Sequence, residues 1–145
     1  MLRLESGRGP GSGVLATAHA VALLVIAVLA TDSLSETDER IVPLCKAAPQ
    51  DGEPCPLTLM RSFIDALAAI LIQPHKAREV TRITVSRTAG IARIQYSGGA
   101  TIFDAKAPPR SGIQVEAGID GDVIVAIAGD VHELVLASDN WEHII

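Results

Sequence analysis

Aromatic residues and positive charges are both scarce in this sequence. Aromatic residues make up 3% of the 145 residues, and 12 Lys and Arg residues stand against 17 Asp and Glu, which gives a formal net charge of -5. Nucleic-acid-binding domains present a basic surface, so this balance excludes a polybasic nucleic-acid binder. Disorder is excluded as well, because 48% of the residues are hydrophobic and disordered chains combine low hydrophobicity with high net charge. The length is that of one ordinary domain.

Motifs for metal binding and catalysis are also missing. His132 and Glu133 begin like the zinc metalloprotease signature, but Leu136 occupies the position of its second histidine, so these residues do not form a zinc site. No serine lies in a strand-to-helix elbow, and neither cysteine has a neighbouring base. The sequence therefore predicts no metal, no cofactor and no catalytic residue. An enzyme whose catalytic groups meet only in space is the alternative.

One long apolar run is present, from Val14 to Ala30, and Thr17 and His19 are its only polar residues. As a helix it would measure about 25 Å, slightly less than the hydrocarbon core of a bilayer. Basic residues precede the run and acidic residues follow it, as expected for an N-terminus that stays inside. We expect residues 1–13 to be a flexible leader and residues 14–30 a transmembrane anchor. A signal peptide cleaved before Thr31, or a buried helix of a soluble protein, are the alternatives.

Residues 31–56 form a polar, acidic linker that holds both cysteines. Cys45 and Cys55 are separated by nine residues that include Pro, Asp and Gly, which favour turns. If this linker lies outside the cytoplasm, a Cys45–Cys55 disulfide is expected. Two unpaired thiols in a cytosolic loop are the alternative.

Residues 57–145 have the pattern of a small α+β domain. A helix is predicted from Leu57 to Gln73, with Thr58 as its N-cap and Pro74 at its end. Arg61 and Asp65 within this helix argue against its spanning the membrane, because charged side chains are costly in a bilayer. A membrane hairpin with the acidic linker outside is the alternative. Alternating patterns then predict six short strands, at 81–86, 90–96, 100–104, 113–119, 122–128 and 131–137.

Tight turns are predicted between several of these strands, at Gly98-Gly99, Asp120-Gly121 and Gly129-Asp130. Short loops allow only antiparallel neighbours. The fold class expected is therefore α+β, with an N-terminal membrane-targeting helix, one packed amphipathic helix and an antiparallel sheet of five or six strands. Asp120, Asp122 and Asp130 are interpreted as turn residues rather than calcium ligands.

A local resemblance accompanies this pattern. The stretch AGIDGDVIVAIAG, from Ala117 to Gly129, resembles the Gly-Asp turn and following strand of the PDZ domains of envelope proteases. The following SDNWEHII lies roughly where such a domain begins the helix that lines its peptide groove. The resemblance implies peptide binding as a further function.

These features together predict a non-catalytic, membrane-anchored module of the cell envelope that presents a small β-rich domain for protein–protein interaction. Its expected partners are the membrane, through residues 14–30, and a protein; no nucleic acid is expected. We expect a single-pass protein with its C-terminal domain outside the cytoplasm, or a secreted or periplasmic one after signal cleavage. The C-terminal residues Trp141, His143, Ile144 and Ile145 are the candidate partner-binding residues. A small secreted or periplasmic enzyme or ligand-binding domain is the alternative function.

Overall fold

The computed structural model of the protein describes residues 10–31, 37–87, 89–106 and 115–144. Within 10–15, 37–40 and 135–144 it describes the backbone alone. The helices are α1 (Pro10–Ala30), α2 (Thr37–Cys45), α3 (Phe63–Ile72), α4 (Pro74–Ala77) and α5 (Gly121–Ile144). The strands are β1 (Ala48–Pro49), β2 (Val80–Ser86), β3 (Ile91–Tyr96), β4 (Gly99–Asp104) and β5 (Glu116–Asp120). The fold is therefore α+β, as predicted.

The five strands form one antiparallel sheet in the order β1-β4-β3-β2-β5. Alternation along the strands gives this sheet one apolar face, where Ile83 lies between Ile94 and Ile119 in the pairing register. On the opposite face Arg82 and Arg93 are exposed. The apolar face is the floor of the hydrophobic core.

Helix α3 lies at the centre of this core. Its sequence is apolar except for Asp65, and seven of its ten residues are buried. Phe63 contacts Phe103 of β4, with their ring centroids 5.5 Å apart. Helices α1 and α5 both contact α3, and both reach β2 and β5. The helices thus cover the apolar face of the sheet.

The prediction of two final strands is wrong. Residues 122–128 and 131–137 both belong to α5, and the predicted turns at Asp120-Gly121 and Gly129-Asp130 do not form. A short run that is apolar on both faces does not distinguish a buried strand from a helix. The buried residues Ile124, Ala128 and Val131 follow the helical spacing instead. The resemblance to PDZ domains fails for the same reason, because a helix occupies the place of its strand.

The other predicted boundaries are partly confirmed. Strands β2, β3 and β4 form where alternation predicted them, and the tight turn between β3 and β4 forms at Ser97-Gly98, one residue before the prediction. The strand predicted at 113–119 is observed as β5, and its first residues lie outside the described part of the chain. Helix α3 begins at Phe63 rather than Leu57, and its N-cap is Ser62 rather than Thr58. Thr58 instead accepts a hydrogen bond from the amide of Met60 in a local turn.

The apolar run at 14–30 is helical, as predicted, and belongs to α1. Among the helices in the described ranges, none has the length and hydrophobicity required to cross a membrane. The predicted leader lies outside the described residues, apart from the first turn of α1. Part of the predicted linker is also ordered, because it contains α2 and β1.

Candidate functional site: the outer face of helix α1

Helix α1 has two sides that differ in burial although both are apolar. Ala18, Ala22 and Ile26 are completely buried and join the core. The residues that point away from the core are exposed, and we call them the outer face: Ala16, Ala20, Leu23, Leu24 and Val28. Leu24 and Val28 remain 65% and 71% exposed. The outer face contains no polar side chain.

Several contacts hold α1 in this orientation. Near its C-terminus, the Arg87 side chain donates a hydrogen bond from Nε to the carbonyl oxygen of Leu29, at 2.9 Å. The inner residues pack on α3. Because both the side and the end of the helix are fixed to the domain, the outer face is held outward rather than turned inward.

A polar contact joins α1 to α3 beside the outer face. His19 Nε2 and Asp65 Oδ1 lie 2.9 Å apart, and both side chains are partly exposed. The hydrogen bond from His19 lowers the pKa of the Asp65 carboxyl, and Ser62 contributes a second hydrogen bond in the same direction. Ser62 also accepts a hydrogen bond from the Asp65 amide as the N-cap of α3. Of the two polar residues in the apolar run, His19 therefore attaches α1 to α3.

A second candidate is an open cleft of about 550 Å³ where α5 begins beside β2. Its lining residues are Arg78, Val80, Thr81, Asp120, Gly121, Asp122 and Val125. Asp120 is already paired with Arg82. Asp130 was predicted as a turn residue together with Asp120 and Asp122. It lies in α5, about 12 Å beyond Asp122 along the helix axis, and does not line the cleft. The cleft brings together charges of both signs.

The predicted disulfide is not formed, because Cys45 and Cys55 are both free and buried. Between them the chain pairs with β4 as the two-residue strand β1, where Pro49 lies opposite Phe103. It then turns, with the Gly52 amide donating a hydrogen bond to the carbonyl oxygen of Pro49. Cys55 instead accepts a hydrogen bond from the Thr101 hydroxyl, with a Sγ–Oγ1 distance of 3.4 Å. Burial raises the pKa of the Cys45 thiol, which makes that thiol a poor nucleophile.

The predicted partner-binding residues occupy the end of α5. Trp141, His143 and Ile144 are part of this helix rather than of a separate short segment. Ile145 lies outside the described residues. Their role in binding stays a prediction.

Comparison with protein-family models, with curated proteins and with solved structures gives no significant match. Within the described ranges, no group of three or more His, Cys, Asp and Glu side chains is arranged to hold a metal ion. Function is therefore inferred from the geometry of the described residues, in which the outer face of α1 exposes three large aliphatic side chains on a helix that joins the core.

The sequence predicts the helix at 14–30 but does not show which of its sides is exposed. The run at 14–30 is apolar on every side, so its periodicity contains no information about which side enters the core. The one local signal is the spacing of Ala18, Ala22 and Ile26 by four residues. The same spacing relates Ala16 to Ala20, and only packing against α3 distinguishes the two sets.

Proposed function

We propose that the chain is a non-catalytic protein-association module, and that the outer face of α1 binds an apolar helix of a protein partner. The observation that carries this proposal is the 65% exposure of Leu24 and the 71% exposure of Val28 on a helix that is otherwise part of the core. A helix that is apolar all round is normally buried all round. Here one side is covered by the domain, so the other side is available to a partner.

The energetics favour covering this face. Fully burying an aliphatic side chain of this size contributes about 1.5–3 kcal/mol relative to leaving it exposed. Isolated exposed apolar residues are common on protein surfaces, but contiguous ones usually belong to an interaction site. Leu23, Leu24 and Val28 are contiguous along one helix. Their combined burial supplies the core of an interface.

A protein helix fits this face better than a membrane surface does. Helices that lie in the membrane interface usually have Lys and Arg on their polar side, and α1 has neither from residue 16 to residue 30. The chain is also acidic, with a net charge of -5, which disfavours contact with anionic lipid. Small residues at 16 and 20 let a partner helix approach closely, as helix packing requires. Attachment to the cell envelope remains the prediction made from the sequence.

The proposal is tested by placing a charge on the face. In Leu24→Glu the new carboxylate would have to be buried in the interface, whereas in Leu134→Glu it replaces a similarly exposed leucine of α5 and serves as the matched control. Native extracts of producing cells are separated by size and the chain is detected with an antibody. We expect the wild type and Leu134→Glu to elute in a complex, and Leu24→Glu to elute as the monomer.

Two results would overturn the proposal. One is the same elution for Leu24→Glu and the wild type. The other is flotation of the purified wild-type chain with phosphatidylcholine vesicles that Leu24→Glu abolishes, because lipid rather than protein would then cover the face.

A further inference from the structure

The outer face has a regular geometry that indicates its partner. Ala16, Ala20, Leu24 and Val28 follow one another at intervals of four residues and are all exposed. Such a row forms a ridge on the helix surface, and ridges of this kind from two helices pack into each other's grooves. We call these four residues the α1 ridge.

We infer that the partner is a second copy of this chain, with the two α1 helices antiparallel and their ridges in contact. This inference rests on the proposed function and names its partner. A two-fold symmetric interface needs a patch that is complementary to itself. The α1 ridge meets this condition because the two residues of its N-terminal half have small side chains and the two residues of its C-terminal half have large ones.

The order of small and large residues selects the antiparallel arrangement. With a two-fold axis on the outer side of α1, at the level of residue 22, Ala16 of one copy faces Val28 of the other, and Ala20 faces Leu24. Each large side chain then lies opposite a small one, as well-packed interfaces require. In a parallel pair Leu24 would face Leu24 and Ala20 would face Ala20, which leaves a gap beside a crowded contact.

No charged side chain lies on the α1 ridge, so self-association through it buries no charge there. The two-fold axis places His19 opposite position 25 of the other copy, which is a valine, so His19 does not oppose itself across the interface. The rest of the chain is acidic, so two copies repel each other at long range. Added salt screens this repulsion, and we expect the dimer to become tighter as the salt concentration rises.

The inference is tested by exchanging the small and large residues. Sedimentation velocity of the purified full chain measures the dissociation constant of the dimer. Ala20→Leu places a leucine at position 20 opposite Leu24 of the other copy, and Leu24→Ala places an alanine opposite Ala20. Each variant is expected to weaken the dimer about tenfold or more. The double variant Ala20→Leu with Leu24→Ala restores a large residue opposite a small one and is expected to regain most of the wild-type affinity. Leu134→Ala is the matched control, and circular dichroism confirms that each variant is folded.

The outcomes separate this inference from the proposed function. A wild-type chain that stays monomeric at all concentrations overturns the inference, and so does a double variant as weak as its two single variants combined. If the purified chain is monomeric but Leu24→Glu still dissolves the complex in extracts, the face binds a different protein. In that case the proposed function stands and only the identity of the partner is wrong.

Discussion

At the residue scale, the fold depends on contacts that only particular side chains permit. Gly121 is the first residue of α5 and follows β5 directly. A Cβ atom built on Gly121 would overlap the carbonyl oxygen of Val80. The chain can turn from the last strand into α5 at this point only because the residue has no side chain.

We therefore predict that Gly121→Ala destabilises the protein by about 2–3 kcal/mol, because the obstacle is backbone and cannot move aside as a side chain would. Urea denaturation followed by circular dichroism measures the free energy of unfolding. A change smaller than about 0.5 kcal/mol, typical of an unconstrained surface position, would show that α5 does not approach β2 this closely.

The His19–Asp65 contact predicts a pH dependence. The folded-state pKa of Asp65 is lowered, so its contribution to stability is complete above the unfolded-state pKa of about 3.9 and is lost as the pH falls through the folded-state pKa. Both side chains are partly exposed, and solvent screening limits the pair to about 0.5 kcal/mol. A double-mutant cycle of His19→Gln and Asp65→Asn is expected to give this coupling at pH 6. At pH 3 the coupling should be smaller, and an equal coupling at both values would contradict the assignment.

At the scale of elements, the sequence predicted three strands of the sheet correctly and predicted two strands where the long helix α5 forms. Strands β2, β3 and β4 were predictable because polar and apolar residues alternate along them and a glycine turn connects β3 to β4. Two strands were predicted in the region that forms α5, because glycine and aspartate occur together at both predicted turns. Gly121 and Asp122 lie in the first turn of α5, where an acidic residue is favourable. Gly129 simply lies within the helix, and local sequence does not reveal that role.

Alanine substitutions at two glycines test which of them lies in a turn and which lies in a helix. A Cβ atom at Gly99 or at Gly129 would meet no atom within 4 Å, but Gly99 has a φ of +150° and Gly129 has no positive φ. Gly129→Ala is expected to stabilise the protein by about 0.5–1 kcal/mol, since alanine favours a helix interior. Gly99→Ala is expected to destabilise it, because the backbone there is strained for any side chain. Thermal unfolding measures the stability of both variants and of the wild type. Destabilisation by Gly129→Ala would indicate that Gly129 lies in a turn, as the sequence predicted.

At the scale of the whole molecule, the role of α1 depends on what packs against it. Composition predicted an apolar helix at 14–30, and the length of that helix suggested a membrane anchor. Its division into a buried side and an outer face arises from α3, which is itself apolar and takes up one side of α1. This division is a property of tertiary packing, so the candidate site was not predictable from residues 14–30 alone. The predicted C-terminal binding residues were chosen from local sequence and belong to a different helix.

A site-specific photo-cross-link tests most directly whether a protein covers the outer face. The full chain is produced in cells with Leu24→p-benzoylphenylalanine or, as a control, Leu134→p-benzoylphenylalanine, and is irradiated before lysis. We expect a single protein adduct from position 24, which Ala20→Glu abolishes, and none of the same mass from position 134. An adduct with the mass of two copies of the chain would identify the second copy as the partner. The absence of any protein adduct from position 24, or the same adducts from both positions, would show that the outer face is not a specific protein-binding surface.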